Sequence, residues 1–319
     1  MKFIARTALV SFCTVASLAQ AAWPERPIRL ISPYAPGGTN DTTARIVAEQ
    51  LRVRLGQPVL VENKAGGNIR IGSQAVATSA PDGYTLLWTA APHTVNPALY
   101  NDMPYDTLKA FVPVVRAVAI PVLFSVSPST KATNLKEYLA LAKADPKMAT
   151  VASPGSGSAP HVALELLISA TGAPLVHVPY KGDAPAVTDM IGGQIPAGFN
   201  AIGTSLPYVK AGKLRPIAIV ARERFAQLPD VPTFAELGYP TVDANTWFGV
   251  VAPAGTPVAI VERLNKEINE ILKDPEAKKR LAEQGAVPIG GTPADFDKFI
   301  RADLEKWAKL AKTRNIKAE

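Results

Sequence analysis

Apolar residues along this chain follow two spacings, which together predict strands interleaved with helices. Residues 28–32 form a short β-prone run, and after it Ala44, Val47, Leu51 and Leu55 recur every three or four residues, as on one face of a helix. In this first stretch we predict strands over 28–32, 58–62 and 84–89, a helix that ends at Gly56, and a helix over 71–80. This alternation is typical of a parallel sheet covered by helices.

The same alternation returns after a proline-rich stretch. There we predict helices over 135–144, 160–171 and 184–191, and strands over 150–153, 175–178, 195–199 and 214–220. The C-terminal third adds a strand over 247–252 and two helices that begin at Thr256-Pro257 and Thr292-Pro293, because threonine caps a helix and proline suits its first position. The chain is therefore predicted to contain two α/β units.

The first 21 residues have the features of a secretory signal peptide. A basic start with Lys2 and Arg6 precedes an apolar core over 8–18, and Ala19-Gln20-Ala21 fits a small-x-small cleavage site. The segment is too short to span a bilayer stably. Its removal would take away Cys13, the one cysteine in the chain, so the exported protein is expected to rely on a large buried core rather than on disulfides.

Length and composition fit a soluble protein of two domains. The chain has 319 residues, of which 47% are hydrophobic and 19% are charged, which is ordinary globular composition. Its longest later apolar run, 112–126, is interrupted by Arg116 and Pro121 and is shorter than the roughly 18–20 residues of a membrane span. The formal charge of +7 is modest and spread along the chain, so we expect no nucleic-acid partner.

Two loops carry the candidate chemistry, the first glycine loop (36–41) and the second glycine loop (154–161). Each joins the carboxyl end of a predicted strand to the start of a helix, where ligands bind in open α/β sheets. A helix start offers unpaired N–H groups and about half a positive charge, and Thr39, Ser156 and Ser158 add hydroxyls, so an anion would suit either loop. The alternative is that both are ordinary glycine-rich turns, since neither matches a dinucleotide- or phosphate-binding motif.

Signatures of enzymes and metal sites are weak. The segment Gly155-Ser156-Gly157-Ser158 does not have the spacing of a nucleophile elbow. The histidines His93, His161 and His177 are separated by 68 and 16 residues and do not form a recognisable metal set. We therefore expect no catalytic residue, no metal and no cofactor, and we give each histidine a structural or ligand-contacting role.

A series of short motifs extends over about 230 residues of the chain. The motifs include Trp23-Pro24-Glu25-Arg26-Pro27, Pro36-Gly37-Gly38, Pro81-Asp82-Gly83-Tyr84, His177-Val178-Pro179-Tyr180-Lys181-Gly182, Leu228-Pro229-Asp230-Val231-Pro232-Thr233 and Ala252-Pro253-Ala254-Gly255-Thr256-Pro257. Each motif is weak alone, but their combination in this order is specific. On these motifs the chain resembles the solute receptors of the tripartite tricarboxylate transporters, the Bordetella uptake gene (Bug) family.

The resemblance implies a type II periplasmic binding-protein fold, an α/β fold in which two lobes with mixed, mainly parallel sheets enclose a ligand cleft. Lobe one would comprise residues 22–123 and 247–319, and lobe two residues 124–246. The resemblance also implies a monomeric receptor in the periplasm that captures a mono-, di- or tricarboxylate and delivers it to the membrane subunits of the transporter. Two alternatives stay open: an exported hydrolase that uses Ser156 or Ser158 with His161, and a receptor that serves signalling only.

Carried over by position, the resemblance assigns ligand contacts to both lobes. In the first lobe they are Tyr34, Pro36, Gly37, Gly38, Thr39, Asp41, Thr89, Ala90 and His93. In the second lobe they are Ser153, Gly155, Ser156, Ser158, His161, Lys181, Gly182 and Asn200. An aspartate in a first helical turn, such as Asp41, more often caps its helix or ties a loop down. Lys181 either neutralises a distal carboxylate or faces solvent.

Two departures from the family pattern bear on the ligand. The family usually has a glycine pair before the second helix, whereas this chain has Asn68-Ile69 followed by Arg70. The Arg70 guanidinium would suit a second ligand carboxylate, or it could point outward. Asn200 stands where an aspartate is common in the family, which would ease the binding of a more anionic ligand.

Overall fold

The computed structural model describes residues 23–221 and 223–314, whose strands form two separate sheets. In chain order the strands are β1 (Ile28–Ser32), β2 (Val59–Asn63), β3 (Thr85–Ala90), β4 (Phe111–Ile120), β5 (Val122–Val126), β6 (Thr150–Ser153), β7 (Val176–Pro179), β8 (Ala197–Ala201), β9 (Arg215–Val220), β10 (Thr246–Pro253) and β11 (Val287–Pro288). The helices are α1 (Thr39–Leu55), α2 (Arg70–Ala77), α3 (Pro92–Leu99), α4 (Leu135–Ala144), α5 (Ala159–Thr171), α6 (Asp183–Ile191), α7 (Ile202–Lys210), α8 (Val258–Lys273), α9 (Pro275–Glu283) and α10 (Pro293–Arg314).

The two sheets share one plan. In the first sheet the strand order is β11-β4-β10-β3-β1-β2, with β1 parallel to β2 and β3 and with β10 antiparallel to β3 and β4. In the second sheet the order is β7-β6-β8-β5-β9, with β6 parallel to β7 and β8 and with β5 antiparallel to β8 and β9. We call the first sheet with α1–α3 and α8–α10 the first lobe, and the second sheet with α4–α7 the second lobe. The predicted mixed α/β fold with two lobes is confirmed.

The chain passes between the sheets at two places. Strand β4 ends at Ile120 in the first sheet, and β5 begins at Val122 in the second, so Pro121 lies between them. After β9 the chain returns to the first sheet as β10. The first sheet is therefore assembled from two distant parts of the sequence. The exact lobe boundaries given above stay a prediction.

Several elements were not predicted from the sequence. The apolar run 112–126 lies in β4 and β5, two strands of different sheets. Helices α3 and α7 were also missed, and both contain an internal proline, Pro97 and Pro207 respectively. Proline lacks the N–H that an interior helical position donates, so it argues against a helix in a sequence reading. In these short helices, packing against the rest of the lobe outweighs that penalty.

Helix α1 shows how the apolar spacing becomes a core that positions a loop. Ala44, Val47 and Leu51 are at most 1% exposed and pack in the same cluster as Ile28 of β1. Gly56 ends the helix in the left-handed conformation, with φ of +68°, which glycine adopts without strain. This packing holds the start of α1 against the carboxyl end of β1, where the first glycine loop lies.

The predicted signal peptide, residues 1–21, lies outside the described residues. Within 23–221 and 223–314, none of the helices has both the length and the apolar character required to cross a bilayer.

Candidate functional site

The two glycine loops lie on opposite lobes, and the lobes touch beside them. The Thr39 and Thr204 hydroxyls, from α1 and α7, are 3.3 Å apart. The Asn68 side-chain amide donates to the carbonyl of Ser156 in the second loop at 3.4 Å. The sequence predicted Thr39 and Ser156 as site residues but did not indicate Thr204. A small molecule held between the loops would therefore be enclosed by both lobes.

The first loop is fastened from behind by Asp41. Its carboxylate accepts hydrogen bonds from the Gly37 N–H at 2.9 Å and from the Asn63 side-chain amide at 2.8 Å, and it pairs with Arg45 at 2.9 Å. Burial would raise the pKa of Asp41, but hydrogen bonds from Arg45, Gly37 and Asn63 outweigh burial and lower it. Asp41 was expected either to cap its helix or to tie the loop down, and the structure shows that it ties the loop down.

Asp41 is buried on the core side of the first loop, and the backbone of the loop is exposed on the other side. Pro36, Gly37 and Gly38 are exposed. Gly37 has φ of +87°, a left-handed conformation that favours glycine. Gly38 is the N-cap of α1, and no side chain caps this helix, so the N–H groups of its first turn are left for another partner.

The second loop is fastened by its own side chains and by the strand–helix connection beside it. The Ser158 hydroxyl donates to the carbonyl of Gly155 at 2.7 Å and accepts from the His161 N–H at 3.3 Å, which caps α5. The Gly157 N–H donates to Nδ1 of His161 at 3.0 Å. The Gly182 N–H donates to the carbonyl of Pro154 at 3.0 Å. These bonds leave Ser156 at the tip of the loop, partly exposed.

A pair of histidines supports the second loop. The rings of His161 and His177 stack with their centroids 3.9 Å apart, and Nε2 of His177 lies 2.7 Å from the Ser153 hydroxyl. Burial, followed by the charge of His161, lowers the pKa of His177 to about 3. Because Nδ1 of His161 accepts the Gly157 N–H, the ring proton is assigned to Nε2, which lies 3.6 Å from Glu165.

This arrangement does not form the serine–histidine pair that the hydrolase alternative requires. The two ring nitrogens of His161 are directed to Gly157 and Glu165, and the Ser158 hydroxyl is bonded to a carbonyl. Ser153 does bond to a histidine, but its side chain is fully buried. Neither Ser156 nor Ser158 has a base among its described contacts.

The predicted residues at the end of β3 lie deeper than the loops. Thr89, Ala90 and His93 are at most 1% exposed. The His93 ring packs edge-on against Phe111 with centroids 5.1 Å apart, and burial lowers the pKa of His93 to about 4. The structure therefore places His93 in the core of the first lobe, beside Phe111, as a neutral ring.

Arg70 is engaged within its own lobe. Its guanidinium lies 3.9 Å from the centroid of the Tyr100 ring, pairs with Asp102 at 3.1 Å and donates to the carbonyl of Gly67 at 3.0 Å. The charge of Arg70 is therefore compensated before any ligand arrives.

The two remaining predicted residues of the second lobe differ in exposure. Asn200 is fully buried, and its amide donates to the sulfur of Met190 at 3.4 Å. Lys181 is exposed, and among the described residues it has no ion pair. The structure thus brings neither the Lys181 nor the Arg70 charge into a pair across the cleft.

Asp183 is the main residue that sequence reasoning missed. It is the first residue of α6, and its carboxylate accepts the Ala201 N–H at 2.9 Å. Burial raises the pKa of Asp183 to about 6, and the bond from Ala201 only partly opposes this. Burial also raises the pKa of Tyr34 in the first lobe, and the charge of Asp183 adds to the effect. The sequence signal that could have identified Asp183 is the position of this acidic residue directly after Lys181-Gly182.

Helix starts give the cleft its electrostatic character. Helices α1, α6 and α7 begin at the N-caps Gly38, Gly182 and Ala201, and none of these has a side-chain cap. Each start presents N–H groups and a partial positive charge, which favours a bound carboxylate. Within the described residues there is no group of three His, Cys, Asp or Glu side chains placed to hold a metal ion.

Comparison with known proteins gives one consistent result. The model of the tripartite tricarboxylate transporter family receptor matches residues 43–316. Protein BugT of Bordetella pertussis (strain Tohama I) is 39% identical over 297 residues, which is 92% of this chain and 91% of BugT. The structure of the periplasmic binding protein BugD is 32% identical with a TM-score of 0.86, covering 93% of this chain and 100% of that one. The R. palustris protein Rpa4515 with adipate is 34% identical with a TM-score of 0.88, at the same coverage.

Proposed function

Because the chain belongs to the tripartite tricarboxylate transporter receptor family, we propose that it is a periplasmic receptor that holds a small carboxylic acid between its two lobes. The observation that carries the proposal is that each glycine loop contacts the opposite lobe: Thr39 of the first loop meets Thr204, and Ser156 of the second loop accepts a hydrogen bond from Asn68. The solved relative with adipate supports a carboxylic acid as the ligand class.

The ligand carboxylate would be held mainly by backbone and hydroxyl groups. The uncapped start of α1 would supply N–H donors, and Tyr34 and Ser156 would supply hydroxyls. A helix start contributes about 0.3–1 kcal/mol, and up to about 2 kcal/mol when partly buried. Hydrogen bonds to a charged group contribute about 1.5–3 kcal/mol each before entropic costs. Micromolar binding needs about 8 kcal/mol, so a few such contacts suffice.

Other predicted residues would act by positioning these donors. Asp41 and His161 hold the loop glycines, and Ser153 and Ser158 hold the second loop in shape. Arg70 and His93 are not included among the proposed ligand contacts, because one is paired with Asp102 and the other is buried beside Phe111.

The partner and the location follow the family. We propose that residues 1–21 direct export and are cleaved, that the receptor is a monomer, and that it delivers its ligand to the membrane subunits of a tripartite tricarboxylate transporter. The two passages of the chain between the lobes, at Pro121 and before β10, would act as the hinge. A receptor that serves signalling only would have the same site.

A thermal-shift screen of small carboxylic acids, followed by calorimetry, tests the proposal. A receptor should melt at a higher temperature as the concentration of its ligand rises. It should also release the ligand chemically unchanged after long incubation, which separates a receptor from the hydrolase alternative. Turnover of the ligand, or the absence of any shift with mono-, di- and tricarboxylic acids and amino acids, would overturn the proposal.

A further inference from the structure

Asp183 lies where the two lobes meet. Its carboxylate is bonded to the N–H of Ala201, the residue that precedes α7, and Thr204 of the same helix touches Thr39 of the first lobe. Gly182, directly before it, is bonded to Pro154 of the second glycine loop. Its charge also acts on Tyr34, which precedes the first glycine loop. Asp183 therefore adjoins both loops, and its side chain stays partly exposed.

Within the described residues, no cation pairs with Asp183. Its one bond is the N–H of Ala201, and no Lys, Arg or His lies within 4.0 Å of its carboxylate. The two basic residues among the predicted ligand contacts do not pair with it. Arg70 pairs with Asp102, and Lys181 is exposed. The half-buried carboxylate of Asp183 therefore lacks the opposite charge that offsets the cost of removing a charge from water.

The ligand itself can supply that charge. A dicarboxylate would place a second negative group in a cleft that already contains the Asp183 carboxylate, whereas an amino group would bring a cation with N–H donors. Hydrogen bonds between an ammonium and a carboxylate are roughly twice as strong as those between neutral groups. The uncapped start of α1 would hold the carboxylate of the same molecule.

We propose that Asp183 is the ammonium-binding group of this receptor and that its preferred ligand is a small amino acid, with the carboxylate at the glycine loops and the ammonium at Asp183. The inference rests on the proposed function, because it specifies which carboxylic acids the same cleft selects. The Tyr34 phenol, on the opposite lobe, lies near enough for the charge of Asp183 to act on it.

The pKa of Asp183, raised by burial to about 6, is consistent with a carboxylate that lacks a partner. An ammonium ligand favours the ionised form, so its affinity should rise as the pH increases from 5 to 7. Other titratable groups near Asp183 are Tyr34, on which its charge acts, and Lys181, two residues before it in the chain. The contribution of Asp183 to this pH dependence is therefore the difference in ligand affinity between the wild-type protein and D183N at each pH, because the other groups are unchanged in D183N.

Calorimetry with matched ligands tests the inference. Aspartate against succinate and glutamate against glutarate are pairs with the same carbon chain, and in 4-aminobutanoate against glutarate the ammonium nitrogen replaces the second carboxylate carbon. The wild-type receptor should bind at least one amino acid about tenfold or more tightly than its dicarboxylate. In D183N the amino acid should lose about ten- to hundredfold in affinity, the range expected for one charged hydrogen bond, while the dicarboxylate keeps or gains affinity.

Asp189→Asn is the matched control. Asp189 lies on the same helix, but its carboxylate accepts the Tyr180 hydroxyl at 2.8 Å, so this variant removes one charge from α6 and should leave the ligand preference unchanged. Asparagine at 183 retains an oxygen that can accept the Ala201 N–H, and the melting temperature without ligand reports whether the fold is kept.

The outcomes separate the two proposals. Tighter binding of dicarboxylates than of the matching amino acids, or an equal loss for both ligands in D183N, would overturn the role of Asp183 and leave the receptor for carboxylic acids standing. Failure of the wild-type protein to bind any of these acids would overturn the role of Asp183, and the broader screen of carboxylic acids then decides whether the receptor proposal stands.

Discussion

In the first glycine loop the N–H of Gly37 is bonded to the carboxylate of Asp41, whereas in the second the N–H of Gly157 is bonded to the imidazole of His161. Both acceptors are the third residue of the helix that follows, α1 or α5, and both lie four residues after their glycine. In a capping box the side chain at this helical position bonds to the N–H of the N-cap. Here it reaches one residue further back, to the glycine of the loop.

The two acceptors differ in charge. Asp41 is an anion at a helix start, where the helix dipole favours negative charge, and it is bonded to Arg45 and Asn63 as well. His161 accepts the Gly157 N–H through Nδ1 of its imidazole ring. The first loop is thus held by an ionic network, and the second by an imidazole nitrogen.

Replacement of the two acceptors by alanine would test this difference most strongly. Asp41→Ala leaves the Gly37 N–H, Asn63 and Arg45 without their acceptor, so we expect the free energy of unfolding to fall by about 3 kcal/mol. His161→Ala removes one hydrogen bond and a stacked ring, and about 1–2 kcal/mol should be lost. Urea unfolding at pH 7.5 measures both values, and a larger loss for His161→Ala would contradict the comparison.

A second prediction tests whether ligand binding depends on the contact between the two lobes, with the loops themselves left unchanged. Gly203 of α7 lies against Gln284 of the first lobe, and an alanine Cβ there would overlap the Gln284 carbonyl oxygen. Because the backbone of Gly203 is helical, alanine suits the isolated second lobe and only obstructs the contact between lobes. We expect Gly203→Ala to weaken ligand binding about tenfold or more, with the free energy of unfolding changed by less than about 1 kcal/mol.

The control for Gly203→Ala is Gly192→Ala. At Gly192, after α6, an added Cβ would meet the Thr188 carbonyl oxygen at 3.5 Å, an ordinary contact. Calorimetry should show wild-type affinity for this variant. Wild-type affinity in Gly203→Ala would mean that the ligand does not require the contact between lobes.

The spacing of apolar residues was enough to predict most of the fold. The prediction for β1 agrees with the structure, α10 begins at Pro293 as predicted, and α8 begins at Val258, one residue after the predicted Pro257. The run 112–126 was not resolved into two strands, because apolar spacing does not reveal that Pro121 lies between two sheets. Side-chain periodicity reports which face is buried, and says nothing about which sheet the strand joins.

The candidate site was predicted in outline and less well in detail. The loops were located because strand, glycine and helix start are adjacent in sequence. The departure at Asn68-Ile69 was noticed, but its effect was not: both residues adopt left-handed backbone conformations, with φ of +49° and +66°, and Asn68 reaches Ser156 on the other lobe. Asp183 and Thr204 depend on contacts between distant elements, which a local motif does not contain.

The smallest expected effect concerns pH and the histidines behind the second loop. His177 has a pKa of about 3 in the folded protein, against about 6.5 when exposed, so the folded state binds its proton more weakly than the unfolded state does. This contribution to stability is fully present above pH 6.5 and is lost as the pH falls from about 6.5 towards 3. Between pH 7 and pH 6 it amounts to about 0.7 kcal/mol.

His177→Gln removes this proton while keeping a side-chain amide near the Ser153 hydroxyl. Asp183 acts in the opposite direction, because its raised pKa makes the folded state hold a proton more strongly as the pH falls towards 6. The useful quantity is therefore the difference in unfolding free energy between the wild-type protein and His177→Gln, measured in urea at pH 7 and pH 6. It should shift by about 0.7 kcal/mol in favour of the variant at pH 6. An equal response of the two proteins to pH would show that His177 does not make the second loop more sensitive to acid than the carboxylate-bound first loop.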